Sequence, residues 1–453
     1  MNERLPNLTE EQLEDVEKEL LPTQGLRETL ELNDRGNPKA NVPNVERILM
    51  EDPFFAGAIC FNELSERIDI VKDLGWKRDS VTLTDTDMAY ITLYIEKNYG
   101  IGYQSVIETA IKVVANENRY HPIRDVLNSL VWDGVPRVEN MLTHFFGADR
   151  SELITTTMKL FMLGAVARIF TPGIKFETSM CLVGGQGVGK STFFKFLAIR
   201  DEWFTDDLKN LSDDRMAARL QGHFIVEMVE MLAVINAKAE EELKCFISRE
   251  KDTYRTPYDK HPRDRKRQCV FGGTSNKIEI LPMDKSGNRR IVPIETHPEN
   301  AEVHILDNEA ESRAYILQAW AEIMVIYRSG DYILTLPDHL KKELDKYQQR
   351  FTPEDTEQVS IENFLDKTKE NLVCIRMLFH EALGHSSYEE PKKSESNRIA
   401  EILHHVPGWV AVGTRTVEPY GRVRAWKRKN DVMQDTGDEF LSIPEQMEIP
   451  FGN

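Results

Sequence analysis

Residues Gly184-Gly185-Gln186-Gly187-Val188-Gly189-Lys190-Ser191 constrain this chain more than any other stretch. An apolar run, Met180 to Val183, precedes them, and a helix-forming segment, Thr192 to Ala198, follows. Glycines let the backbone curl until several N–H groups face one point, and the start of a helix adds positive potential there. A lysine and a hydroxyl at the end of such a loop suit polyphosphate and a hard divalent cation. The spacing therefore predicts a strand–loop–helix that cradles ATP through Gly184 to Thr192. Lys190 would lie on the β- and γ-phosphates and Ser191 on Mg²⁺.

Such a loop needs carboxylates on a neighbouring strand. Phe224 to Met228 reads as a buried strand that ends in Glu227, and Glu230 follows three residues later. One acid would hold the metal, with Glu227 assigned to it, and the other would act as general base. A second buried-strand pattern, Cys269 to Gly272, runs into Thr274-Ser275-Asn276. Asn276 both donates and accepts hydrogen bonds, which suits a sensor of the γ-phosphate or attacking water. Gly287-Asn288-Arg289-Arg290 then leads into a third strand. Either arginine could be a finger reaching a neighbouring subunit's nucleotide, a DNA contact or a solvated turn.

The alternation of short β-branched runs with helices predicts an α/β domain with a mainly parallel sheet over residues 121–335. Before it, residues 1–43 read as an acidic, flexible segment and 44–120 as a helical domain, with Thr84 capping the helix from Asp85. After it, residues 336–428 read as helices followed by a hairpin, the order of a winged helix. Residues 429–453 read as an acidic tail.

Composition narrows the class. The chain has 453 residues, 41% of them hydrophobic and 29% charged, which fits a multidomain globular protein. The start lacks the basic-then-apolar pattern of a signal peptide, and no membrane association is expected. Five scattered cysteines without a CxxC pair fit reduced thiols and argue against a zinc site. The net charge of −18 argues against a generally basic surface. Lys260 to Arg267 nevertheless carries five basic residues against one acid. Lys260, His261, Arg263, Arg265, Lys266 and Arg267 are thus the candidate DNA contacts, with Tyr254 and Tyr258 nearby for stacking.

The four motifs, in this order, resemble the virulence-associated protein E family of phages and mobile islands. That family is similar to superfamily 3 helicases and poxvirus-type primase-helicases of the AAA+ class. The residues that carry the likeness are GGQGVGKS, IVEMVE at 225–230, YRTPYDKHPRDRKRQCVFGGTSN at 254–276, GNRR at 287–290 and the flanking WDGVPR at 132–137. The resemblance implies an AAA+ core in a homo-hexameric ring, with ATP and Mg²⁺ between subunits and Arg289 or Arg290 supplied in trans. It implies ATP-driven movement along DNA, as in a replicative helicase of a mobile element in a bacterial cytoplasm, together with a replication partner. Single-stranded DNA would pass the basic hairpin in the pore, and duplex DNA is a candidate ligand for the C-terminal block. Residues before 121 hold no paired-carboxylate motif, so no primase activity is expected. Two rival readings are an ATP-gated assembly or remodelling protein and a small-molecule kinase.

Overall fold

The computed structural model describes residues 25–208, 216–229, 237–255, 262–281 and 289–429. Two compact units divide the chain, Met1–Thr352 and Pro353–Asn453. The first is a mixed α/β structure around a parallel sheet.

Its opening module is less helical than its sequence predicts. Strands β1 (Ile59–Asn62) and β2 (Arg67–Ile70) pair antiparallel, and β3 (Arg119–Tyr120) adds to β1 in parallel. These strands have only two to four residues, too few for a period of two to stand out from the helical pattern around them. Helices Val42–Glu51, Asp85–Tyr99 and Gln104–Glu117 complete the module. Thr84 does cap the second of these, in a reciprocal box with Asp87, and left-handed Gly100 ends it. Leu26 and Leu30 are buried in the same core as Ile48, Ile91 and Ile111. Residues 25–43 therefore belong to this module rather than to a flexible leader, because two leucines there have apolar surface to bury.

The central sheet has five strands: β4 (Ser179–Val183), β5 (Phe204–Thr205), β6 (Ile225–Val229), β9 (Val270–Ser275) and β10 (Ile291–Glu295). All neighbours are parallel, in the order β10-β4-β9-β6-β5. Between β6 and β9 the chain forms a separate antiparallel hairpin, β7 (Lys251–Tyr254) and β8 (Arg263–Lys266). Alternation along the strands divides two cores. Met180, Leu182, Ile225, Val270 and Val292 pack on one face with Phe193, Phe194 and Trp320, while Cys181, Val183, Val226, Met228 and Phe271 pack on the other with Phe246 and Phe351. Burial on both faces explains why the strands read as continuous apolar runs.

Helix Glu152–Phe170 is the one helix among the described residues long and apolar enough to cross a membrane, and most of it is buried inside the first unit. Near its end, fully buried Arg168 donates to the carbonyls of Cys269 and Phe176, each at 2.7 Å. Helix Asp338–Gln348 buries Leu340 and Leu344 in the core that holds Met324. The boundary predicted at residue 336 therefore moves to 352, because this amphipathic helix has its apolar face on the first unit.

The second unit begins with helix Thr356–Lys367, capped by Asp355. Strand β11 (Leu372–Cys374) follows, then a helical stretch to Ala382 and helix Lys393–His405. Strands β12 (Trp409–Val417) and β13 (Gly421–Arg428) form a hairpin, and the sheet order is β11-β13-β12. Trp426, Leu378 and Ile399 are buried among these elements.

One close approach ties the sheet to the helix after the glycine-rich loop. A Cβ on Gly272 of β9 would stand 2.2 Å from the ring of Phe194. Gly272→Ala should therefore cost about 1–3 kcal/mol of stability, read as a lower urea midpoint. Phe194→Leu in the same chain should recover part of that loss.

Candidate functional site

The sequence ends β4 at the first glycine of the loop, and parallel pairing sets what faces it. Val183 pairs with Ser275 of β9, and the Gly184 N–H donates to the Ser275 carbonyl at 3.1 Å. The turn carries Gly187 and Gly189 at φ +85° and +87°, a region that L side chains rarely adopt. Gly189 caps helix Lys190–Leu197. A Cβ there would also stand 2.4 Å from Ile305, which packs over the loop.

Lys190 folds back into the turn. Its Nζ donates to the carbonyls of Gly184 at 2.8 Å and Gly185 at 2.6 Å, and to Asn276 Oδ1 at 3.0 Å. Lys190 is buried, so these bonds offset the removal of its charge from water. Asn276 lies just past β9, between the loop and the acidic strand.

Glu227 sits on β6, two strands from β4, and is fully buried. Glu227 pairs with Gly272 in the β6–β9 register. The Ser191 and Thr274 hydroxyls both donate to its Oε1, each at 2.6 Å. Its Oε2 is buried and has no hydrogen-bond partner among the described residues. Burial pushes its pKa above the ordinary carboxylate value, and the two hydroxyls only partly oppose that. A cleft of about 290 Å³ opens beside this group, lined by residues 186–192, Val229, Thr274, Ser275, Asn276 and Leu306.

Lys190 with Ser191, Glu227 and Asn276 thus come from three separate places in the sequence and form two bonded groups beside one cleft, Lys190 with Asn276 and Ser191 with Thr274 and Glu227. Gln186, Val188 and Thr192 line the same cleft. Glu230 lies outside the described residues. Thr274 escaped the sequence reading, although its place in the polar end of a buried strand was a usable signal. Leu306 and His304, whose Nε2 is 3.2 Å from the Gly187 carbonyl, carried no signal in the sequence. They arrive on a loop after β10.

The two candidate finger arginines differ. Arg290 is occupied within its own unit: its Nε donates to Ser248 Oγ at 2.8 Å, and an Nη lies 3.9 Å from Glu177. Arg289 is exposed.

The basic run at 260–267 is corrected in part. Lys260 and His261 lie outside the described residues. Arg263 and Lys266 are exposed, but Arg265 and Arg267 are buried. Arg265 pairs with Glu66 at 2.8 Å and stacks on Tyr254 at 4.4 Å. Arg267 pairs with Asp252 at 2.6 Å and stacks on Phe246 at 4.4 Å. Neither can serve a DNA phosphate without abandoning its carboxylate partner, part-exposed Glu66 for Arg265 and buried Asp252 for Arg267. Arg263 and Arg265 share a face of β8, and what separates them is the packing of Arg265 against Glu66 and Tyr254.

Glu227 gives this site a testable pH signature. Its folded-state pKa is raised, so its contribution to stability is present at acid pH and is lost as pH rises through that value. Without nucleotide or magnesium, Glu227→Gln should be more stable than the parent at pH 8 by about 1 kcal/mol. The difference should vanish near pH 4, as thermal melts at the two pH values would show.

No curated protein matches the chain. Among solved structures it is similar to apo forms of the NrS-1 C-terminal region, at 16% identity and TM-scores of 0.46, 0.47 and 0.45. Each covers 82% of this chain and 95% or 96% of its own. The family model of the virulence-associated protein E-like domain matches residues 127–353, the stretch that holds the glycine-rich loop, Glu227, Asn276 and both arginines. That match spans half of the sequence, and the chain belongs to the virulence-associated protein E-like family.

Proposed function

We propose that this chain is a P-loop ATPase of the AAA+ class that moves along DNA, as a replicative helicase of a phage or mobile element. The observation that carries the ATPase reading is the pair of bonded groups, Lys190 with Asn276 and Ser191 with Glu227, beside a cleft lined by the glycine-rich loop. The parallel order β10-β4-β9-β6-β5 supports it, because β9 brings Asn276 between the loop and the acid.

The residues fit ATP and Mg²⁺. Gly184 to Thr192 supply backbone N–H groups and the start of a helix for the phosphates. Lys190, now on two loop carbonyls, is within reach of a β- or γ-phosphate oxygen in their place. Ser191 and Glu227 would hold the magnesium, whose role is to offset charge on the phosphates. The unpartnered Glu227 Oε2 is a ready acceptor for a water bound to that ion. Asn276 would orient the attacking water, and Glu230 is the remaining candidate for general base.

Exposed Arg289 is the better finger, since Arg290 is engaged by Ser248 and Glu177. A finger in trans requires a ring, and a homo-hexamer is the form the family resemblance favours. DNA would meet the outward residues of the β7–β8 hairpin, Arg263 and Lys266; Lys260 and His261, also candidates, lie outside the described residues. The second unit has the helix and hairpin order of a winged helix. Its exposed Lys392, Lys393, Arg415, Arg422 and Arg424 suit duplex phosphates or a replication partner.

Lys190→Ala should lower ATP turnover by about a hundredfold or more, and near-parental turnover would remove the phosphate-loop assignment. Mixing Arg289→Ala with Lys190→Ala chains should restore measurable turnover, since one interface in a mixed ring would hold an intact loop and an intact finger. Single-stranded DNA at low salt should stimulate the parent. Charge reversal at Arg263 and Lys266 should weaken DNA binding and flatten its salt dependence, by a slope of about one per lost phosphate contact. ATP turnover that ignores DNA would favour the assembly or remodelling reading.

A further inference from the structure

The first unit holds a second, larger groove, of about 780 Å³, away from the phosphate-loop cleft. One wall comes from β1, β2 and the turn between them, and the other from β5 and the turn before β6. Its size is within the usual range for small-molecule sites. Three buried polar atoms without a hydrogen-bond partner among the described residues belong to side chains that line it: Ser65 Oγ, Asp69 Oδ1 and His223 Nδ1.

Asp69 is the informative one. It is fully buried, and its Oδ2 is fixed by the Asn62 amide at 2.8 Å and the Tyr120 hydroxyl at 2.5 Å. Its Oδ1 is left to accept from something else. A buried acceptor without a donor is costly, so such groups mark places where a further molecule donates. Burial, with the nearby Arg67 charge, lowers the pKa of His223 and so favours its neutral ring.

The groove has the opposite character at its cationic side chains. Exposed Arg67 lines it, as do Arg200 and Arg219. Arg200 pairs with Glu202 at 3.7 Å and stacks on Trp203 at 5.1 Å, and Arg219 pairs with Asp207 at 3.6 Å, so Arg67 is the cation offered to a ligand. A ligand that fits both features donates N–H groups at one end and carries negative charge at the other.

We infer that this groove binds a nucleotide, with an amino or imino group of its base on Asp69 and its phosphate on Arg67. Two sources share that chemistry, a free nucleotide and one unit of a single strand. A smaller pocket shares Leu64, Gln221, Gly222 and His223 with the groove and reaches Tyr254 and Lys266 of the hairpin. The two cavities thus have a wall in common beside the hairpin.

The test uses the full chain carrying Lys190→Ala, which removes the phosphate-loop site from the measurement. Fluorescent AMP and a short fluorescent deoxyadenosine oligonucleotide are titrated separately. At least one should bind, and Arg67→Ala and Asp69→Asn should each weaken that binding roughly tenfold, the effect of losing one charge-assisted hydrogen bond. Binding of the oligonucleotide that responds to both variants identifies a strand, whereas a response confined to AMP identifies a free nucleotide. Asp69→Asn disturbs Asn62 and Tyr120 as well, so the exposed Arg67→Ala, checked by an unchanged melting temperature, decides if the other fails to fold. If neither probe binds, the unpartnered atoms are met by water alone and the proposal is overturned. Binding that ignores Arg67→Ala overturns it equally.

Discussion

The buried carboxylate of Glu227 is the interaction on which the rest of the site depends. A charge with no access to water must be met by donors, and here two hydroxyls from different elements meet it. Ser191 comes from the first turn of the helix after the loop, and Thr274 from the strand between β4 and β6. Both bonds require the β6–β9 register to hold within one residue, because a single slip would turn Glu227 to the opposite core. The absence of a side chain on Gly272 lets Phe194 approach, which seats the helix carrying Lys190 and Ser191 against the sheet. Packing and chemistry are thus set by the same contacts.

The insert between the acidic strand and the sensor strand divides into an inner and an outer half. Arg265 fastens the hairpin to Glu66, Arg267 braces Asp252 of β7 and donates to the Phe246 carbonyl, and Tyr254 donates to Gln221 at 2.6 Å. Gln268 extends the fastening to the opening module through the Glu63 carbonyl and His121. What remains outward is a shorter basic edge, Arg263 and Lys266, on a rigid base. A rigid hairpin limits the entropy lost when a ligand orders its side chains, which suits a contact surface better than a free charged loop would.

The opening module gains a role from the same fastening. It is bonded to the hairpin on one side and faces the edge strand β5 across the groove that holds Asp69. The second unit has its own core around Trp426.

Much of the site was legible in the chain because it is local. The loop, its helix and the polar ends of three strands each declare themselves within eight residues, and the parallel strands read as apolar runs because both faces are buried. The short strands β1, β2 and β5 were not legible, since a few residues carry too little periodicity. Nor was the fate of the basic run: sequence counts five positive charges between Lys260 and Arg267, whereas packing against Glu66, Tyr254, Asp252 and Phe246 decides that Arg265 and Arg267 are withdrawn from water. Sequence alone determined that a glycine-rich loop, acids, an asparagine and two arginines follow one another in this family's order. Only the tertiary structure decided that Glu227 rather than a neighbour faces Ser191, that Thr274 joins it, and that Arg290 is occupied while Arg289 is exposed. Those outcomes depend on register and packing between segments far apart in the chain, which local sequence does not encode.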